Sequence, residues 1–150
     1  MTGSGPGVLA AVLALCAACG GESGPRFTKP MVLGGQEVSP EVLERGLKVY
    51  SLYCSSCHGR DGSGQGNAAR SLATKPRDFR QADFKYKSTD GDALPTDEDL
   101  LGTVLNGRVD TGMPAWNGLT PEDRQAVVQY IKTFSPRWQD DNSADGKASS

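Results

Sequence analysis

The sequence is poor in histidine, in aromatic residues and in long apolar runs. Its 150 residues include one His, three Met and four Cys, and aromatic residues make up 7% of the total. A single His excludes any site built on two imidazoles. The longest apolar run, residues 8–18, is too short to span a bilayer. A hydrophobic content of 37% is low for one domain of this length, so we expect something apolar other than side chains to fill part of the core.

The N-terminal apolar run instead predicts an export signal covering residues 1–18. Cys19 follows Ala17-Ala18 and precedes two glycines, which resembles the bacterial lipoprotein signal, whose Cys becomes the lipidated mature N-terminus. Cys16 stands where that signal usually has Leu, so cleavage after Ala18 without lipidation is the alternative. In both cases we expect an exported protein at the periplasmic side of a bacterial membrane, anchored there if Cys19 carries lipid.

The rest of the chain divides by composition into three parts. Residues 19–38 are rich in Gly and Pro and predict a flexible tether, residues 39–135 predict one helical domain, and the polar residues 136–150 predict a disordered tail. Helix starts are indicated by Ser39-Pro40, by Thr96 before three acids, and by Thr120-Pro121. No strand pattern of convincing length is present.

Cys54-Ser55-Ser56-Cys57-His58 carries the clearest chemistry in the sequence. Two thiols three positions apart at the end of a helix can add to both vinyl groups of one haem, and the adjacent His then becomes the proximal iron ligand. The alternatives are a thioredoxin-like redox pair, half of a zinc site and a structural disulfide. A helix before the motif disfavours the redox pair, and the lack of further ligands in the mature chain disfavours zinc.

Residues 39–134 resemble the class I cytochrome c fold, an all-α domain of three to five helices around one covalent haem c. The resemblance rests on Gly46-x-x-x-Tyr50-x-x-x-Cys54 in the first helix and on apolar residues of the last helix that would meet it, namely Val127, Tyr130 and Ile131. In this family the Pro nine residues after the His lies where a backbone carbonyl accepts from the His ring; Asn67 occupies that position here.

Met113 is predicted to be the distal iron ligand. No second His exists, Met1 leaves with the signal peptide, and Met31 precedes the first helix. The flanking Gly112 and Pro114 resemble the methionine loop of the family, which would hold the thioether towards the iron. Further contacts to the haem propionates or the haem wall are expected from four residues, with surface or packing roles as the alternatives: Arg77, Tyr86, Arg108 and Trp116.

A His/Met-ligated haem predicts an electron-transfer protein rather than an enzyme, since no coordination position is left for a substrate. The expected partners are membrane-associated or periplasmic redox proteins. Residues 60–87 hold seven basic residues against three acids, and residues 90–99 hold five acids, which would orient the molecule at a partner if they face different ways. The acidic isoelectric point of about 5.4 disfavours nucleic acid. A permanent subunit of a larger respiratory or dehydrogenase complex is the first alternative, and a haem enzyme or gas sensor with a labile distal site the second.

Overall fold

The computed structural model of this protein describes Met1 and residues 25–140. The rest of the predicted signal peptide, including Cys16, lies outside the described residues, as do Cys19 and residues 141–150 of the predicted tail. None of the helices in the described ranges has the length and apolar character needed to cross a membrane.

Helices dominate the described part of the chain. A two-stranded antiparallel hairpin comes first, with β1 at Met31–Leu33 and β2 at Gln36–Val38. The helices that follow are α1 (Pro40–Tyr53), α2 (Ser55–His58), α3 (Asp97–Asn106), α4 (Pro121–Lys132) and α5 (Arg137–Asp140). Short 3-10 helices lie at Asn67–Ser71 and Val109–Thr111. This helical architecture confirms the predicted all-α class.

The three longer helices begin where their capping residues predict. The hydroxyls of Ser39, Thr96 and Thr120 each accept a backbone N–H from the first turn of α1, α3 and α4. At α3 the Asp99 carboxylate also accepts the Thr96 N–H at 2.9 Å, which completes a capping box. These local bonds fix the first turns independently of the tertiary fold.

Helices α1 and α4 cross at Gly46, and this crossing forms the centre of the core. A Cβ built on Gly46 would lie 2.2 Å from the backbone oxygen of Ala126 and 2.7 Å from Cβ of Tyr130. Tyr50, one turn further along α1, is buried against the ring of Tyr130 with centroids 5.2 Å apart. The predicted pairing of the Gly and the aromatic residue of α1 with α4 is therefore observed.

A buried ion pair joins the start of α3 to the end of α4. Lys132 is 1% exposed and its ammonium pairs with the Asp97 carboxylate, which also accepts the Gln129 side-chain amide at 2.7 Å. A buried Lys needs such a partner, because an unpaired charge in the interior is strongly unfavourable. The pair holds α3 in a fixed position beside α4.

The folded unit extends beyond both predicted boundaries. Part of the predicted tether forms the β-hairpin, in which Leu33 is fully buried, and Phe27 packs edge-on against Tyr130. Trp138, assigned to the disordered tail, is 3% exposed in α5, and its carbonyl accepts the Gly34 N–H at 2.7 Å. The structure thus corrects both boundaries: within the described residues, the segments on either side of 39–135 pack against each other and cover the end of α4.

Candidate functional site

The Cys-x-x-Cys-His motif lies at a sharp junction between two helices. Cys54 ends α1, and the single turn of α2 carries Cys57 and His58, with the Cys54 carbonyl accepting the N–H of His58 at 2.9 Å. All three side chains line one cavity of about 570 Å³. A cavity of this size falls in the range that holds cofactors and other small molecules.

The walls of the cavity are mainly apolar. They come from α3 and α4, from the segment between α2 and α3 and from the loop between α3 and α4. The apolar residues among them include Leu72, Phe79, Phe84, Leu100, Val104, Trp116 and Ile131. Trp116 also packs against Tyr53, with ring centroids 5.3 Å apart. A flat apolar group of cofactor size placed here would complete the core, as the low hydrophobic content of the sequence predicts.

The imidazole of His58 is held in one orientation by two contacts. Its ring stacks on Phe79 at a centroid distance of 4.4 Å and an interplanar angle of 14°. Nδ1 lies 3.2 Å from the backbone oxygen of Arg77, to which it donates when it carries the ring proton. Burial lowers the pKa of His58, against a smaller opposing effect of the Arg77 carbonyl. A neutral ring with its proton on Nδ1 offers Nε2 as a metal ligand.

The acceptor for His58 differs from the position suggested by the family pattern. The carbonyl belongs to Arg77, nineteen residues after His58, whereas the family pattern predicts an acceptor carbonyl near Asn67. Asn67 instead begins a 3-10 helix. The sequence carries no signal for the role of Phe79, because its stacking on His58 depends on contacts between separate parts of the chain.

Residues 59–67 form a glycine-rich loop that packs against the C-terminal end of α2, the helix that carries the motif. The N–H groups of Gly64 and Gly66 donate to the carbonyls of His58 at 2.8 Å and Cys57 at 3.0 Å. Tyr50 donates its hydroxyl to the Gly59 carbonyl at 2.7 Å. A Cβ on Gly66 would lie 2.2 Å from the Ser56 oxygen, so only glycine allows this approach. The loop therefore satisfies the last carbonyls of the motif.

The Cys54 thiol does not have the character of a cysteine in an exchanging redox pair. Burial raises the pKa of the Cys54 thiol to about 12, with a further contribution from Cys57, and a thiol of high pKa is a poor nucleophile. Both cysteines are free rather than joined in a disulfide. Within residues 25–140 no cluster of three His, Cys, Asp or Glu side chains is placed to hold a metal ion, so a zinc site finds no support in that range.

Met113 lines the same cavity as His58. Its loop is closed by an antiparallel bridge in which Arg108 donates its N–H to the Met113 carbonyl at 2.8 Å and accepts the Met113 N–H at 3.0 Å. Gly112, with φ of +83°, makes the left-handed turn that precedes Met113. The Trp116 N–H donates to the Val104 carbonyl at 3.0 Å and ties the far end of the loop to α3.

The four residues predicted to contact a cofactor all line the cavity: Arg77, Tyr86, Arg108 and Trp116. Arg77 pairs with Asp83 at 3.6 Å. The guanidinium carbon of Arg108 lies 3.7 Å from the ring centroid of Tyr86, and its buried Nε finds no hydrogen-bond partner among the described residues.

Haem c fits this combination of groups. The porphyrin would pack against the apolar walls, and its vinyl groups would bond to the two thiols. The iron would take an imidazole and a thioether as ligands, and all of these side chains line one cavity. The cations of the lining would be available to the haem propionates: Lys75, Arg77, Lys85 and Arg108. No other single group among the alternatives accounts for the thiols, the imidazole and the apolar wall together.

Comparison with known proteins agrees with the geometry. Residues 41–131 match the family described as cytochrome c oxidase, cbb3-type, subunit III. A chain of the reducing HAO-like protein complex Kustc0457/Kustc0458 of Kuenenia stuttgartiensis is 42% identical with a TM-score of 0.60; the match covers 62% of this chain and 42% of that one. This chain therefore spans less than half the length of that relative.

A second solved structure, the c-type cytochrome KustC0563, is 28% identical with a TM-score of 0.42, over 60% of this chain and 96% of that chain. The family match alone spans more than half of the 150 residues and includes the motif, the cavity walls and the methionine loop. This chain therefore belongs to the cytochrome c family that the cbb3-type subunit III represents, and its cofactor is covalently bound haem c.

Proposed function

We propose that this c-type cytochrome carries one electron at a time on a haem held by thioether bonds from Cys54 and Cys57 and ligated by His58 and Met113. The observation that carries the proposal is the single cavity that all four side chains line. When bound, the haem supplies an iron that takes up or releases one electron. The protein contributes attachment, ligation and a largely apolar surrounding.

The two ligand-bearing segments are restrained by separate sets of contacts. His58 is held by the Arg77 carbonyl and the ring of Phe79, while Met113 is held by its backbone bridge to Arg108. Ligands held in place move little between two oxidation states, and a filled coordination shell leaves no position for a substrate or gas. These features support a carrier rather than an enzyme or a gas sensor.

The charges at the cavity favour redox partner proteins with an acidic surface. Lys75 and Lys85 line the cavity and form no ion pair among the described residues, whereas the acidic lining residue Asp78 is paired with Arg80 at 2.8 Å. A basic surface of this kind speeds and orients association with an acidic one. None of the acidic residues in 90–99 lines the cavity.

A permanent place in a larger complex is the second candidate function. Its support is the 42% identity to one chain of the Kuenenia stuttgartiensis complex. Export and lipid attachment at Cys19 remain part of the proposal and rest on the sequence. Size-exclusion chromatography of a detergent extract of native membranes addresses both points: a free carrier elutes alone, a subunit elutes with partners, and a protein without an anchor is absent from the membranes.

The holoprotein provides the direct test of the proposed function. We expect haem to remain on the chain after denaturing electrophoresis, one-electron Nernst behaviour in a spectroelectrochemical titration, and a methionine-to-iron band at the red end of the ferric spectrum. Met ligation also raises the potential relative to bis-His ligation. Rapid binding of CO to the reduced protein would show that the distal position is open and would contradict the proposal.

A further inference from the structure

An aromatic contact joins the methionine loop to the end of α1. The ring of Trp116 packs on the ring of Tyr53, with centroids 5.3 Å apart and an interplanar angle of 55°. Tyr53 is the last residue of α1 and directly precedes Cys54, while Trp116 follows Met113 in the same loop. Both rings belong to residues that line the cavity. The Tyr53–Trp116 ring pair therefore connects the segment that carries the thiols with the segment that carries the thioether.

The backbone of Trp116 is attached to α3 on its other side. Its N–H donates to the Val104 carbonyl at 3.0 Å, and its own carbonyl accepts the Leu119 N–H at 3.2 Å. The side chain is partly buried and packs against the hydrophobic core. Tyr53 thus contacts a residue whose backbone is already fixed, so the ring pair links α1 to α3 through the methionine loop.

The backbone between Met113 and Trp116 has little room to move. A Cβ on Gly107, the residue that ends α3, would lie 2.7 Å from the Met113 oxygen and 2.6 Å from the Ala115 nitrogen. This stretch of the loop therefore lies directly on the chain at the end of α3. Pro114 restricts it further, because the proline ring fixes one backbone angle. Displacement of the loop at Trp116 is therefore transmitted to Met113.

We propose that the Tyr53–Trp116 ring pair positions Met113 on the haem iron by fixing the methionine loop relative to the attachment motif. The inference rests on the proposed function, because it takes Met113 as the distal ligand. Covalent attachment at Cys54 places the haem next to Tyr53, so a loop held against Tyr53 is held at a set distance from the iron. Tyr53 and Trp116 are positioning residues, since they act on the iron through Cys54 and Met113.

The test measures how readily an added ligand replaces Met113 in the ferric holoprotein. An aromatic pair of this kind is worth roughly two- to tenfold in an equilibrium constant. We therefore expect Trp116→Leu and Tyr53→Leu each to raise the rate of cyanide binding about fivefold, because Met113 leaves the iron more often. The methionine-to-iron band should remain in both variants, since the ligated form still predominates.

The double variant distinguishes a ring pair from two independent effects. If the rings act together, the protein with both substitutions should bind cyanide about as fast as either single variant, because one contact is lost in all three. A contact that only stabilises the fold would lower the melting temperature without this coupling in the cyanide rate. Tyr53→Phe keeps the ring and should keep the cyanide rate of the unmodified protein.

Leu52→Ala is the matched control. Leu52 precedes Tyr53 in α1, is 75% exposed and does not line the cavity, so its cyanide rate should equal that of the unmodified protein. If Trp116→Leu does not mature with haem, the comparison of Tyr53→Leu with Tyr53→Phe decides, since Tyr53 is 43% exposed and tolerates replacement better.

Four results would overturn the inference. Equal cyanide rates in the unmodified protein and both single Leu variants would show that the ring pair does not position Met113. A double variant whose increase is the product of the single increases would show that the rings act separately. Tyr53→Phe as fast as Tyr53→Leu would show that the ring is not responsible, and an equal rise in Leu52→Ala would show a general loosening of α1.

Failure of the proposed function has a different signature. An unmodified holoprotein that lacks the methionine-to-iron band would contradict ligation by Met113 itself, before any variant is made. The ring-pair variants then have no ligand to position. With the band present, the cyanide rates of the variants alone decide the role of Tyr53 and Trp116.

Discussion

Replacing Met113 with Ala should open the distal position of the haem and lower its midpoint potential by on the order of 0.1 V or more, within the roughly 0.8 V range that axial ligands control. The thioether stabilises the reduced iron, and no second Met lines the cavity. The methionine-to-iron band should disappear, and CO should bind the reduced protein rapidly. Visible spectra, a redox titration and a CO mixing experiment measure these three changes.

Met31→Ala is the matched control for Met113→Ala. Met31 lies in β1, packs against the core from a half-buried position and does not line the cavity. We expect its loss to reduce the free energy of unfolding by about 1 kcal/mol, less than the roughly 2–5 kcal/mol of a fully buried Met→Ala because Met31 is only partly buried, and to leave the potential and the ferric band unchanged. A ferric band that survives in Met113→Ala would show that the distal ligand is another residue.

The features that the sequence predicts well are those set by local chemistry. Ser39, Thr96 and Thr120 cap helices because a hydroxyl at that position bonds to the following turn whatever lies elsewhere in the fold. The Cys54–His58 spacing places three side chains on one short turn, and the elimination of other Met and His residues leads to Met113. The structure places both segments at one cavity.

The features that escaped prediction depend on contacts between distant parts of the chain. The hairpin at Met31–Val38 has strands of three residues, too short for a periodic pattern, and it is held by α5. Trp138 resembles an isolated bulky residue in a polar tail until Gly34 and Phe84 are seen to pack on it. The Arg77 carbonyl carries no sequence signal, because every residue has one.

For the same reason, the sequence alone does not predict the contacts of Arg108. Its nearness to Met113 in the chain is visible, but the backbone bridge, the stacking on Tyr86 and the unpaired Nε are not. The sequence predicts four cofactor contacts and does not rank them. The structure separates Arg108 from Arg77, whose guanidinium already pairs with Asp83.

Replacing Gly46 with Ala should destabilise the fold by about 3 kcal/mol, the upper end for added core volume, because the obstructing atoms belong to backbone. The new Cβ would lie 2.2 Å from the Ala126 oxygen, so α1 and α4 must separate along the crossing that positions Tyr50 and the haem motif. A loss of this size lowers the melting temperature by about 10–20 °C in a domain of about 100 residues. Thermal denaturation of the holoprotein followed by circular dichroism measures it.

Gly102→Ala makes the same chemical change in α3, where a Cβ meets no heavy atom within 4 Å. There the substitution should leave the melting temperature unchanged or raise stability by up to about 1 kcal/mol, because Ala is the better helix former. The contrast between the two variants isolates the helix crossing from helix propensity, since propensity alone would stabilise both. Equal melting temperatures for Gly46→Ala and Gly102→Ala would mean that α1 and α4 can separate without cost, and that close approach at Gly46 does not hold the haem motif in place.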